Sequence, residues 1–246
     1  MMKQHIRAAI IAGCFLLSAC TTTKDPEILY KGQSAQQIYT GAEQNLANGK
    51  YDKAISHYEG LDALYPFSSY SEQAMLDSIY AYYESGDFAT ATATAERFTH
   101  TYPANPHVDY AYYMKGVCEM IQDRPFSQRY LPMDLSIRDL TSPHKAYLDF
   151  AALVEKFPNS PYTPDAKLRM AYLRNLFAQR QVEIAEFYYK RHAYVASANR
   201  ASIVVEKYPG TPAEKEALEM MVKSYQALGQ TEEAAKAQRL ITNANQ

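Results

Sequence analysis

The chain has 246 residues, a formal net charge of −2, 21% charged and 47% apolar side chains, nine glycines, no tryptophan and 22 tyrosines. So balanced a charge, with no lysine or arginine run of the kind that tracks phosphates, excludes a general nucleic-acid-binding surface. Few glycines beside many alanines point to an all-α chain rather than to a sandwich or barrel.

The first element is a leader. Lys3 and Arg7 precede an apolar stretch from Ala8 to Leu17, and small residues then run into Leu17-Ser18-Ala19-Cys20. A basic start, an apolar segment too short to remain in a bilayer and a small-residue cleavage point make a secretory signal over residues 1–19. The site resembles the bacterial lipobox, which implies that Cys20 is lipidated and becomes the first mature residue. Each buried methylene contributes about 0.8 kcal/mol and stable anchoring needs at least two chains, so acylated Cys20 would hold the protein to a membrane without a spanning helix. By the same resemblance, Thr21 rather than aspartate after the cysteine implies the outer membrane. Removing Lys3 and Arg7 leaves 23 basic against 27 acidic residues, a mature charge near −4. With Cys14 gone and Cys20 acylated, Cys118 has no partner, so no disulfide framework is expected.

Residues 20–33 show little periodicity and read as a flexible tether. A repeat domain over residues 34–246 follows. Gly49, Gly86 and Gly229 each stand five residues before an alanine, at Ala54, Ala91 and Ala234. Aromatic-proline pairs close the amphipathic runs at Tyr65-Pro66, Tyr102-Pro103, Phe157-Pro158 and Tyr208-Pro209. The proline falls 12 residues after Ala54, Ala91, Ala146 and Ser197 in turn, and those positions and Ala234 are spaced by 37, 55, 51 and 37 residues. The pattern predicts a tetratricopeptide-like superhelix of about five helical hairpins, over residues 34–66, 67–103, 104–158, 159–209 and 210–246, with a period near that of such repeats. Alanine lets antiparallel helices approach, Tyr58, Leu61, Phe98, Phe150 and Leu153 fill the seams, and proline stops each second helix. A single hairpin cannot bury its apolar face, so neighbours must stack. The large interruption lies over residues 121–142 in the third unit. There Arg124, Arg129, Arg138 and Asp139 offer either a functional lip or an ordinary long loop.

Catalytic chemistry has no visible apparatus. His57, His144 and His192 lie at unrelated points, His100 and His107 flank a turn, and no nucleophile elbow, zinc-protease motif or phosphate loop accompanies them. No catalytic residue, metal site or cofactor is expected. Cys118 reads as a small buried hydrophobe. Aromatics concentrate instead in Tyr65-Pro-Phe-Ser-Ser-Tyr70 and Tyr80-Ala-Tyr-Tyr83, as either a recognition groove or helix packing.

These segments, with Arg138-Asp139, Phe157-Pro-Asn-Ser-Pro-Tyr162, residues 185–200 and the lipobox, resemble the BamD lipoprotein family of the Gram-negative β-barrel assembly machinery. The resemblance runs through nearly the whole mature chain. It implies a non-catalytic periplasmic adaptor with two working ends. The amino-terminal repeats would recognise the carboxy-terminal signal of unfolded outer-membrane proteins, here through Tyr65, Phe67, Ser68 and Tyr70. The carboxy-terminal repeats would dock a POTRA domain of BamA, here through Arg200 with Asn199 and Tyr194. It also implies other Bam lipoproteins as partners in some bacteria, and no nucleic acid. Ser68 stands where many relatives have glycine. For Arg200 the alternative is a bond within its own repeat to Glu183, Glu186 or a carbonyl. The competing functional readings are a cell-envelope coordinator, for which the coiled-coil heptads are missing, and a lipid-anchored enzyme.

Overall fold

A computed structural model of the chain describes residues 26–122 and 139–244. Cys20, the leader and most of the 121–142 interruption, with Arg124, Arg129 and Arg138, lie outside the described residues. Among the described residues, a helical turn at Pro26–Leu29 precedes ten helices and there is no strand: α1 Ala35–Ala47, α2 Tyr51–Leu64, α3 Ser71–Ser85, α4 Phe88–Thr101, α5 Val108–Ile121, α6 Thr141–Lys156, α7 Thr163–Lys190, α8 Tyr194–Lys207, α9 Ala213–Ala227 and α10 Thr231–Ala244. The chain divides after Ser71 into two compact units. The fold is all-α and tetratricopeptide-like, five helical hairpins with the long connection between the helices of the third.

The residues expected as a tether are folded from residue 26 onward. Tyr30 is 5% exposed, its hydroxyl 3.2 Å from Ser56 Oγ and 2.9 Å from His57 Nδ1. A Cβ at Gly60 would run into the Tyr30 ring, so α2 carries glycine where this segment crosses it. Residues 26–33 of the expected tether therefore fold against α2, because an aromatic ring has found a seat that composition alone does not reveal.

The seams follow the repeat. Ala54, Ala91, Ala146 and Ser197 are fully buried, as are Phe98, Phe150 and Leu153, with Tyr58 and Leu61 nearly so. Burial of each such large side chain contributes about 1.5–3 kcal/mol. Gly116 of α5 lets Phe150 approach to where a Cβ would sit 2.7 Å from the ring, and so sets the close crossing of α5 and α6.

The second helices of the first four hairpins stop in the same way. The amides of Tyr65, Tyr102, Phe157 and Tyr208 donate to Leu61, Phe98, Leu153 and Val204 at 2.8 Å, and the proline that follows has no N–H with which to continue. The tight turns inside the hairpins also repeat. Gly49, Gly86 and Gly229 adopt φ of +66°, +88° and +72°, and their amides donate three residues back while the next amide donates five back. This is the left-handed helix cap that glycine adopts without steric cost. In the fourth hairpin the same position and the same two bonds belong to His192, with φ +59°. A side chain in that conformation costs roughly 1–2 kcal/mol.

The fourth hairpin departs in length as well. Helix α7 has 28 residues, and its two halves serve different cores. Ala166, Leu173 and Phe177 pack with Val117, Ala146, Phe150 and Leu153, whereas Ala178, Val182 and Ala185 pack with Ala201, Val204, Ala217 and Met220.

Candidate functional site

The turn that leaves α2 is built by local hydrogen bonds. Ser68 N–H donates to Tyr65 O at 3.2 Å, Ser71 N–H to Ser68 O at 3.1 Å, and Ser71 Oγ to Tyr65 O at 2.9 Å. The Ser68 hydroxyl lies 2.9 Å from Ser71 Oγ and accepts from Tyr70 N–H at 3.3 Å. After α6 the same turn is made by Phe157, Ser160 and Thr163, with Ser160 N–H on Phe157 O and Thr163 Oγ1 on Phe157 O at 2.8 Å. After α4, Asn105 takes the place of Ser68. Ser68 is thus a turn-forming side chain whose hydroxyl serves the turn, and glycine is not needed there.

Of the four residues expected to meet unfolded outer-membrane proteins, the turn treats each differently. Tyr65 donates its hydroxyl to Gln33 O at 2.6 Å, and Tyr70 stacks on Tyr39 with centroids 5.2 Å apart. Both rings are half-buried and hold the first unit together. Phe67 is 98% exposed. At its position the equivalent turns carry Ala104 and Asn159, so the fold has no use for a phenyl ring there. An exposed ring of this size at a turn is the type of side chain that anchors a partner. Further along, Tyr82 and Tyr83 belong to the core packing of α3 while Tyr80 is 39% exposed, so that stretch is mainly packing.

The second candidate region is the outer edge of the α7–α8 hairpin. Ser197 and Ala201 face inward and are fully buried, with Ser197 accepting from Ser224 Oγ at 3.0 Å. Asn199 is exposed, while Tyr194 and Arg200 are half-buried. The Arg200 guanidinium donates to Gln181 Oε1 at 3.3 Å. Its intramolecular partner is therefore a neutral amide. Of the glutamates, Glu183 pairs with Arg180 at 3.7 Å and Glu186 with Lys190 at 3.5 Å. A single long bond to a neutral acceptor leaves most of the five-donor fork of an arginine for another molecule.

The surroundings add residues that sequence reasoning missed. Phe187 is 50% exposed under the Arg191 guanidinium, which sits 4.3 Å from its centroid, and Val195 is 58% exposed. Tyr194 packs edge-on against Tyr189 at 5.3 Å, and its hydroxyl lies 2.8 Å from His192 Nδ1. The signal for His192 was present in the chain: it stands five residues before Ser197, where three other units have glycine.

The remaining candidates take structural places. Cys118 is fully buried, and burial pushes its thiol up to about 12, which leaves it an inert apolar side chain. His144 stacks on Phe177 at 3.9 Å, and desolvation lowers its pKa. Asp139 accepts from the amide and hydroxyl of Thr141 at 3.0 and 2.7 Å at the start of α6, and these bonds hold its carboxyl below the usual range. Among the described residues no three His, Cys, Asp or Glu side chains converge as a metal site would require, and no helix is long and apolar enough to cross a membrane.

Residues 31–240 match the family model YfiO, described as outer membrane lipoprotein. A curated protein of Vibrio cholerae serotype O1, named outer membrane protein assembly factor BamD, is 38% identical over 242 residues, which cover 98% of this chain and 98% of that protein. A protein of the same name from Pasteurella multocida is 37% identical over 98% of this chain and 91% of its own length. Among solved structures, a putative kinesin light chain with nearly identical tetratricopeptide-like repeats aligns over 90% of this chain and 98% of its own, at 13% identity and a TM-score of 0.41.

Proposed function

This chain belongs to the YfiO outer membrane lipoprotein family, that of the BamD assembly factors, and on that premise we propose that it is a non-catalytic, lipid-anchored adaptor in the assembly of outer-membrane β-barrel proteins. Acyl chains on Cys20 hold it to the periplasmic face of the outer membrane. Phe67, on the turn kept in shape by Tyr65, Ser68 and Tyr70, meets the carboxy-terminal signal of unfolded outer-membrane proteins. Arg200, with Asn199 and Tyr194, docks a POTRA domain of BamA. Other Bam lipoproteins join where the organism has them, and neither a cofactor nor nucleic acid takes part.

The observation that carries the reading is identity of 38% maintained over 98% of this chain and 98% of a protein named as an outer membrane protein assembly factor. The geometry agrees with an adaptor. The polar side chains of the Phe67 turn are engaged in the turn itself, and exposed aromatic surface remains at both regions, with cationic surface at the second.

The test is purification of the detergent-solubilised complex through a tag on this chain. Co-elution of a barrel protein with POTRA domains supports the reading, and its absence from the eluate, with the tagged chain intact, overturns it. Cys20→Ala in cells depleted of BamA is expected to leave a folded protein in the soluble periplasmic fraction, because the acyl chains supply the anchoring energy. Retention of that variant in washed membranes would show that another segment anchors it.

A further inference from the structure

Four hairpin turns of this chain are built on one pattern, and three of them put glycine at the left-handed position. The aromatic two residues on is Tyr51 after Gly49, Phe88 after Gly86 and Tyr194 after His192. Phe88 packs on Tyr83 five residues earlier at 5.8 Å, and Tyr194 packs on Tyr189, also five residues earlier, at 5.3 Å. The fold therefore contains its own control. The Gly86 and Phe88 hairpin makes the same turn and the same ring packing without an imidazole and without a hydroxyl. The two groups added in the fourth hairpin are the two that meet, His192 Nδ1 and the Tyr194 hydroxyl, 2.8 Å apart. A Cβ built on Gly49 would lie 4.0 Å from the Tyr51 hydroxyl, so this turn brings any side chain at the left-handed position toward a tyrosine two residues on.

We propose that His192 is a further partner-binding residue of the α7–α8 edge, with Tyr194 as the residue that positions its ring. The inference rests on the docking role given to this edge above. A backbone strain that the other turns avoid is kept where the side chain has a use outside the fold. With Nδ1 taken up by the Tyr194 hydroxyl, Nε2 is the ring nitrogen left for a partner, and the residue is exposed. The ring thus keeps one nitrogen for a partner on the hairpin that also carries the exposed Phe187, Val195, Lys190 and Arg191. The chemistry that fits is a protein surface with an apolar patch and, on its border, a polar group that hydrogen-bonds an imidazole nitrogen.

The experiment uses the full-length lipid-free chain and the POTRA domains of BamA from the same organism, with affinity by calorimetry and stability by thermal unfolding. His192→Gly rebuilds the turn of the other hairpins, so its melting temperature is expected to equal or exceed that of the parent while affinity falls about fivefold, the loss of one hydrogen bond. Tyr194→Phe keeps the ring and is expected to weaken binding less. The double variant, a copy of the Gly86 and Phe88 hairpin, should bind no worse than His192→Gly alone, because the hydroxyl acts through the imidazole. Parent-like affinity of His192→Gly, or a fall in its melting temperature that accompanies the loss, overturns the inference. Arg200→Glu separates the two levels. If it weakens binding and His192→Gly does not, the inference alone fails; if neither does, the docking role fails and the inference with it.

Discussion

The turn at Phe67 and the α7–α8 edge at Arg200 offer contact surface in opposite ways. Phe67 is 98% exposed and contributes nothing to its turn, which Tyr65, Ser68 and Ser71 close without it. Arg200 and Tyr194 are half-buried and bonded inside their own hairpin, to Gln181 and His192. On the proposed function, the first region would separate fold from recognition by residue, and the second would make the same residues serve both. In a repeat protein the neighbouring units show which is which. A side chain that the equivalent turns replace with Ala104 or Asn159, or a histidine where they use glycine, lies beyond what the backbone requires.

Arg200→Glu tests the second region with the largest expected effect. Truncating or reversing one partner of a docked charge pair costs about 2–5 kcal/mol of affinity, whereas losing the long bond to Gln181 costs about 1 kcal/mol of stability. Glutamate should be worse than alanine for BamA binding at equal melting temperature. If unfolding shifts further than affinity, Arg200 is a structural residue and the two regions differ in function more deeply than argued.

Phe67→Ala sharpens the first region. Unfolding free energy should stay within about 0.5 kcal/mol of the parent, as for a surface position, while affinity for a peptide carrying the carboxy-terminal signal of an outer-membrane protein falls by about 2 kcal/mol, the mark of an anchoring ring. Fluorescence anisotropy with a labelled peptide reads this directly. Unchanged binding would break the comparison, since the exposed ring would then have no use.

Tyr65→Phe has the smallest expected effect and the reverse signature. It deletes the hydroxyl that reaches Gln33 O at 2.6 Å, so stability should fall by about 1 kcal/mol in chemical denaturation while peptide affinity stays near that of the parent. A loss of affinity without loss of stability would make Tyr65 a contact residue in its own right.

Periodicity is a local property, and what it carries was legible. Alanine or serine 12 residues before each proline located the seams at Ala54, Ala91, Ala146 and Ser197, all fully buried, because helical spacing determines which residues share a face. The leader and the lipobox at Cys20 are expectations from residue order alone and lie outside the described residues. The tertiary structure decided the matters that depend on what stands opposite. Tyr30 is buried because Gly60 leaves room for its ring, although composition placed this residue in a tether. Tyr83 joins the core while Tyr80 remains 39% exposed, although both belong to one aromatic stretch. Arg200 donates to Gln181, while Glu183 and Glu186 have Arg180 and Lys190 within 4 Å on their own helix. Tyrosine and arginine, with an apolar body and a polar end, fit a seam or a surface equally well, and only the packed neighbour chooses between them.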